Sequence, residues 1–418
     1  MKIVIVGAGM GGLSAGIALT KAGHEVEIYD RVSTLRAAGA AISVWSNGIK
    51  VLNALGLEEE IAAIGGQMDR MGYYSSDGQV LTDFSLIPLM ERVGQRPYPI
   101  SRTALQTLLL ETFGRDRVHL GRQCVGVKQE DDRAVVMFEN GDSVNADLVI
   151  GADGARSVVR NYVVGRTIER QYVGYVNWNG LIEMNPEWIP ENNWVMYVGE
   201  NKRVSLMPAS NGQVYFFLDV PLPIGTVNDS KHYRSELLEF FKDWAEPVQR
   251  LIQTLDPDTT NRIEIHDVEP LDRFVRDRFV LLGDAAHSMA PDLGQGGCLA
   301  LEDAWVLGQV LSLGCAINLD PPSPLNKGGP EFKVPLNKGD LGGSGSRLMT
   351  DSLNTALQLY EQSRLERSKM VVQRARQRSN VTHGKDPQRT AQWYEELKTE
   401  DGSNIMDGIC KTILGGPL

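Results

Sequence analysis

Cysteine is scarce in this chain: four residues among 418, Cys124, Cys298, Cys315 and Cys410, with no CxxC pair. Such spacing builds neither a disulfide framework nor a zinc site. The six histidines are scattered and none belongs to an HExxH motif, so no metal ligands are expected. No apolar run approaches the ~18 residues that a membrane-crossing helix needs. The N-terminal run is a short strand-like stretch that glycines interrupt, which is no signal peptide. Basic excess is missing too: the formal charge is −11, whereas a nucleic-acid binder needs a basic face. An anionic ligand must therefore be held by local arginines or backbone N–H groups against the overall field. These absences predict a soluble, reduced, cytoplasmic protein with no membrane or nucleic-acid partner. They leave its oligomeric state open.

What is present is a hydrophobic fraction of 42% with 23% charged residues, enough for a sizeable core in two or three compact units. The most informative stretch runs from Phe279 to Trp305. Its opening, Phe279-Val280-Leu281-Leu282, is too short for a helix and suits a strand buried on both faces. The strand ends at Gly283-Asp284, and Pro291-Asp292-Leu293-Gly294-Gln295-Gly296-Gly297 then feeds a helical pattern. A glycine-rich turn before a helix presents unpaired N–H groups with the positive end of the helix dipole behind them. Such a place suits an anion, or a group that becomes anionic during a reaction. His287 and His266 lack any base or nucleophile spacing and read as packing or hydrogen-bonding residues.

At the N-terminus, the β-branched run Lys2 to Val6 meets Gly7-Ala8-Gly9-Met10-Gly11-Gly12 and then a helical pattern. A second strand, Glu25 to Tyr29, ends at Asp30, 21 residues beyond Gly9. Strand, GxGxxG, helix, strand and acid together form the dinucleotide fingerprint. In it Gly7 permits the turn, Gly9 lets a pyrophosphate approach, Gly12 lets helix pack on strand, and Asp30 accepts from a ribose diol.

Farther along, helices are predicted over Ser46 to Leu55 and Glu58 to Ile64, and a hairpin from Tyr73 to Phe84 around Asp77-Gly78. Ser101 reads as a helix N-cap, and Val118 to Phe138 and Leu148 to Ile150 as strands. From Tyr172 to Val220 short aromatic and β-branched runs indicate an antiparallel sheet with one apolar side, followed by a helix from Ser235 to Trp244. Pro-Leu-Asn-Lys-Gly occurs twice, at 324–328 and 335–339, and the segment 318–347 reads as a flexible insertion. Helices are expected over 352–378, 390–397 and 404–414.

The predicted fold is α/β: a Rossmann-like dinucleotide-binding domain with an inserted antiparallel β-sheet substrate domain and a helical C-terminal region. The expected division places 1–70, 98–170 and 270–317 in the first domain and 71–97 with 171–269 in the second. The insertion 318–347 and the helical region 348–418 complete the chain.

Only one dinucleotide fingerprint is present. Gly7 to Gly12 with Asp30, then Arg102, Asp153-Gly154 with Arg160, and Gly283-Asp284 through Gln295-Gly296 stand in this order. That arrangement resembles the single-component FAD-dependent aromatic hydroxylases over nearly the whole length. Asp30 stands where the family often has Glu. The resemblance implies FAD as cofactor, with Asp30 on the adenosine ribose, Arg102 near the pyrophosphate and Asp284 on the ribityl hydroxyls. It implies that Asp153 and Gly154 lie where NADH or NADPH passes the flavin, and that the Gly294, Gln295, Gly296 and Gly297 N–H groups face the flavin pyrimidine. It extends the cofactor set to Gly11, Arg31, Ser43, Cys124 and Cys298, although Cys298 by itself reads as a small core residue. More specific stretches are similar to the FAD-dependent urate hydroxylases: Gly39 to Trp45, Val176 to Gly180, Lys202 to Pro208, Tyr215 to Pro221, Thr260 to Asp267, Thr382 to Asp386 and Ile413 to Pro417.

This resemblance implies hydroxylation of urate at C5 to 5-hydroxyisourate, using NAD(P)H and O2 by way of a flavin C4a-hydroperoxide. The substrate site must hold an anion, orient a flat ring and manage a proton. Arg203 suits the anion because its guanidinium offers a planar bidentate edge. Asn177 can donate to and accept from ring amides, and Tyr215 can orient substrate or Arg203. Phe216 or Phe217 packs toward the ring, and strand alternation forbids both from facing the pocket. Asp292 is the expected proton-managing carboxylate, acting through water. Hydroxylation of another small aromatic acid, a non-oxygenating flavoprotein reductase and a flavin-binding redox sensor remain alternatives.

Overall fold

The computed structural model describes residues 1–35, 40–316 and 345–418. The β-branched run Lys2–Val6 lies inside a six-stranded sheet, parallel to Glu25–Tyr29 on one side and to Leu148–Gly151 on the other. Phe279–Leu281 pairs in parallel with Leu148–Gly151, and the short strands Val275–Arg276 and Val118–His119 form the edges. Ile3, Ile5, Leu148, Ile150, Phe279 and Leu281 are all fully enclosed, because the sheet is covered by helices and by a three-stranded antiparallel sheet of Cys124–Glu130, Arg133–Phe138 and Ser143–Ala146. The register sets Val6 opposite Tyr29 and Gly151, and Gly151 opposite Leu281, so four strands end at one level. The turns that follow them converge there, on the edge where open α/β sheets bind ligands.

The second sheet has seven strands, in the order Asn261–Asp267, Gln171–Glu183, Gln213–Pro221, Lys202–Pro208, Asn193–Gly199, Arg70–Ser75 and Val80–Ser85. The Asp77-Gly78 hairpin thus joins strands far along the chain. The expectation of a wholly antiparallel sheet needs one correction: Asn193–Gly199 runs parallel to Arg70–Ser75. The two strands are too distant in sequence for a hairpin to impose antiparallel pairing.

Alternation divides this sheet cleanly. Val176, Trp178, Val204, Leu206, Val214, Phe216 and Leu218 pack against Leu237, Phe241, Val248 and Leu251 from the helices Tyr233–Phe240 and Glu246–Thr254 and their flank. Each such side chain contributes about 1.5–3 kcal/mol on burial, so this face anchors the sheet. The intervening residues, Asn177, Arg203, Tyr215, Phe217 and Asp219, point the other way. The helix expected from Ser235 to Trp244 runs from Tyr233 to Phe240, and a second helix not expected from sequence, Glu246–Thr254, follows it and opens with Pro247 in its first turn, where proline starts a helix at no hydrogen-bond cost.

The C-terminal helices are Gly345–Thr382, Pro387–Leu397 and Ser403–Ile413. The first is tied to the helix Gly296–Ala316 by a buried ion cluster. Arg364 donates to Asp303 at 2.7 Å and Glu302 at 2.9 Å, Arg367 donates to Glu302 at 2.9 Å, and His287 lies 2.7 Å from Asp303. Apart from Gly345–Arg347, which begin the long helix, the expected insertion 318–347 lies outside the described residues. Among the described residues, no helix is long and apolar enough to cross a membrane, and no side-chain group could hold a metal ion.

Candidate active site

A cavity of about 1020 Å³ opens where the strand ends of the first sheet meet the polar face of the second. Its walls sort the glycines of the first loop by role. A Cβ on Gly12 would sit 2.0 Å from the Gly7 carbonyl oxygen, so this position must stay bare for helix and strand to touch. At Gly9 an added Cβ would meet nothing within 4 Å, although Gly9 lines the cavity. The bareness of Gly9 therefore serves no protein contact and leaves room for a ligand. Gly9→Val is expected to fold with the unfolding temperature of flavin-free wild type yet lose most bound flavin, read as the 450 to 280 nm absorbance ratio. Full flavin content would remove the loop from cofactor binding.

Other observations fit FAD. Asp284 is exposed in the cavity wall and accepts no hydrogen bond from any described residue, as suits a carboxylate awaiting a polyol. Arg160 fixes it by donating to the carbonyls of Asp284 and Ala285, both at 3.3 Å. Gly294 to Gly297 line the wall at the N-terminus of the helix Gly296–Ala316, whose first N–H groups have no intrahelical acceptor. Ser43 and Trp45 lie beside them, and the Trp45 Nε1 is buried with no hydrogen-bond partner among the described residues. Arg102 is on the wall, its Nε donating to the Ala41 carbonyl at 3.4 Å.

Asp30 lies beside the glycine loop and accepts from Ala8 N at 2.7 Å and Val32 N at 3.0 Å, which leaves its remaining lone pairs for a ribose. Arg31 is exposed on the following turn.

Several expected cofactor residues stand elsewhere. Gly154 lines the cavity, but the Asp153 carboxylate accepts from the Ser157 hydroxyl and from Val158 N at 2.7 Å, capping the helix Val158–Val164. Donors at a helix start outcompete an open wall for a carboxylate. Cys124 and Cys298 are core residues off the wall. The Cys298 sulfur accepts from Trp45 N at 3.3 Å, and burial pushes both thiols up to about 12.

The wall expected to face substrate is the polar side of the second sheet. Asn177, Arg203, Tyr215 and Phe217 all line the cavity. Phe216 does not: it is 1% exposed in the opposite core, because neighbouring strand residues face opposite ways. Arg203 donates through Nε and Nη2 to one oxygen of Asp219, at 2.9 and 2.7 Å, and Asn177 donates to the other at 2.6 Å. The guanidinium lies 5.0 Å over the Phe217 ring, and its Nη1 has no hydrogen-bond partner among the described residues. Burial disfavours the Arg203 charge, but Asp219 and Asp292 outweigh it and hold the group firmly cationic. The Tyr215 hydroxyl also has no hydrogen-bond partner among the described residues, and burial pushes its ionisation up to about 12, so it remains a donor.

Asp292 is placed differently from the expectation. Its backbone faces the cavity, but its carboxylate is wholly enclosed. One oxygen accepts from the Tyr175 hydroxyl at 2.7 Å; the other accepts from Arg203 Nη2 at 3.3 Å and lies 3.1 Å from His383 Nε2. Burial pushes its carboxyl up, but His383, Arg203 and Tyr175 together hold it well below the usual range. Donors that fix an ionised carboxylate leave it a poor proton acceptor.

Asp219, Tyr175 and His383 were not singled out from sequence. The first two share a face with Tyr215 and Asn177 by the period of two, a signal that was available. His383 had none beyond its place in the Thr382 to Asp386 stretch.

The family described as FAD binding domain matches residues 1–315. A FAD-dependent urate hydroxylase of Klebsiella pneumoniae subsp. pneumoniae is 45% identical over 100% of both chains. One of Mycolicibacterium vanbaalenii is 45% identical over 100% of this chain and 98% of its own. The crystal structure of Klebsiella pneumoniae HpxO complexed with FAD and uric acid has a TM-score of 0.88 at 44% identity, covering 100% of this chain and 97% of that one. This chain belongs to the FAD-binding flavoprotein hydroxylase family that contains the FAD-dependent urate hydroxylases.

Proposed function

We propose that this protein hydroxylates urate at C5 to 5-hydroxyisourate, with FAD as cofactor, O2 as co-substrate and NADH or NADPH as reductant. The observation that carries this reading is the polar face of the second sheet. A fixed guanidinium, an amide and a phenol donor line one cavity with the N-terminus of the helix Gly296–Ala316. The comparison that supports it is the HpxO structure with FAD and uric acid.

FAD, when bound, takes electrons from the reduced nicotinamide and activates dioxygen toward an electron-rich ring. Its holders would be the Gly9 to Gly12 loop, Asp30, Arg102, Asp284 and the Gly294 to Gly297 turn. Arg203 would meet the urate anion through the free Nη1, while Asp219 holds the guanidinium plane still. That arrangement costs no reorganisation as charge grows on the ring. A second ionisation of urate, its proton passing to solvent water, would make C5 more nucleophilic, and the adjacent cation lowers its cost. Asn177 would use its remaining N–H and lone pair on the ring amides, Tyr215 Oη would donate to a ring oxygen, and Phe217 would pack on the face. Asp292 would act by holding Arg203, Tyr175 and His383 in place.

The test is coupling. Purified enzyme is expected to consume NADH or NADPH and O2 in equal amounts only when urate is present and disappears with them. Nicotinamide oxidation that yields peroxide and leaves urate intact would contradict the proposal.

A further inference from the structure

The buried end of the substrate site carries more negative than positive charge. Asp219 and the Asp292 carboxylate are both fully enclosed, and Arg203 is the one guanidinium bonded to them among the described residues. An anion arriving at Nη1 of Arg203 enlarges that imbalance, and unbalanced charge is costly in a low-dielectric site.

The other group able to supply positive charge in contact with these carboxylates is His383. It follows the helix Gly345–Thr382, is 6% exposed, and stacks on Tyr175 with ring centroids 3.7 Å apart. Its Nε2 lies 3.1 Å from Asp292 Oδ1. An ionised carboxylate only accepts, so Nε2 carries the proton of that bond. Nδ1 is buried and has no hydrogen-bond partner among the described residues. A second proton on Nδ1 therefore breaks no existing bond and sets a positive charge against Asp292.

The groups facing this imidazole leave it as the variable one. From Gln171–Glu183 comes Tyr175, whose phenol stays protonated because burial, with Asp292 and Asp219 beside it, pushes its ionisation well up. From the turn Pro291–Leu293 comes Asp292, held ionised, and from Lys202–Pro208 comes Arg203, held cationic. Asp219 stands behind Arg203 on Gln213–Pro221. Lys385, two residues on, lies with its Cε against Gly174. Histidine is the side chain suited to changing charge near neutrality.

We propose that His383 takes up a proton when the anionic substrate binds, so that it balances the charge of the site and, through Asp292, keeps Arg203 aimed at the substrate. It is a positioning residue, and this role rests on the urate reading above.

Calorimetric titration of urate into the FAD-loaded enzyme, without nicotinamide and in buffers of different ionisation enthalpy, counts the protons taken up. Wild type is expected to gain a measurable fraction of one proton near pH 7. His383→Gln, whose amide can still donate to Asp292, is expected to retain flavin and gain none. Its urate Kd near pH 6.5 is expected to rise about tenfold, the equivalent of about one unit of proton linkage, and to lose its pH dependence. Wild-type binding without proton uptake overturns the proposal even if the variant does not fold. So does a folded His383→Gln with unchanged Kd and pH profile. If wild type binds no urate at all, the functional reading fails first and this role falls with it.

Discussion

Arg203→Gln is expected to remain yellow while its kcat/KM for urate falls by about 10²- to 10³-fold, the usual loss when a preorganised donor to developing charge is removed. The loss follows from geometry. Nε and Nη2 are committed to Asp219, and Nη1 is the donor left for the substrate. Glutamine keeps one donor toward Asp219 but has no second edge and no charge. Cofactor binding should survive because none of the cofactor-side residues touches Arg203. The fold should weaken by about 1–3 kcal/mol, since Asp219 and Asp292 lose hydrogen bonds that water cannot replace. Steady-state kinetics with flavin content measured on the same sample separates the two effects. Wild-type urate kinetics in a flavin-replete variant would remove Arg203 from the site.

The second large effect is structural. Glu302→Ala is expected to destabilise the protein by about 3–5 kcal/mol, because it leaves the buried Arg367 guanidinium without its carboxylate and strips Arg364 of one of its two. Arg364 and Arg367 are 3% and 6% exposed, and Glu302 is wholly enclosed between them. Asn47 also donates to Glu302 at 2.7 Å and to Gln295 at 3.0 Å, so the damage reaches the turn ahead of the helix Gly296–Ala316. By contrast Arg92→Ala, which breaks an ion pair with Asp407 that is more than half exposed at both ends, should cost about 0–1 kcal/mol. Denaturant midpoints of the holoenzyme compare them. Equal shifts would show that the buried cluster adds nothing to stability.

The same cluster sets an acid limit. Burial pushes Asp303 up, but His287 and Arg364 outweigh it and hold its carboxyl at about 2 instead of the ordinary 3.8. A carboxyl with a lower pKa in the folded state stabilises the fold fully above its unfolded value. That stabilisation is lost as pH falls from about 4 toward 2. Glu302 is shifted in the same direction, with burial again outweighed by its arginines.

Much of the first sheet was legible because its signals are local. A strand, a glycine loop, a helix and an acid follow one another within thirty residues, and Lys2–Val6 and Glu25–Tyr29 appear where the β-branched runs stand. The polar face of the second sheet was half legible. Period-two alternation puts Asp219 beside Tyr215 and Phe217, and the same rule sends Phe216 to the core. Orientation of carboxylates was not legible. Asp153 turned to cap a helix and Asp292 turned inward to three donors, and both outcomes depend on groups brought in by folding. Glu302 and Asp303 read as ordinary helix charges until Arg364 and Arg367 arrive from another helix. His383 stands 91 residues from Asp292, and no local pattern joins them.

Urate is expected to lie against the flavin with its charge on Arg203. Titrating urate into oxidised holoenzyme while recording the flavin's visible spectrum tests this without any turnover. A saturable spectral shift in wild type, absent in flavin-replete Arg203→Gln at the same urate concentrations, is the predicted result. An unperturbed wild-type spectrum at saturating urate, or an equal shift in both proteins, would contradict it.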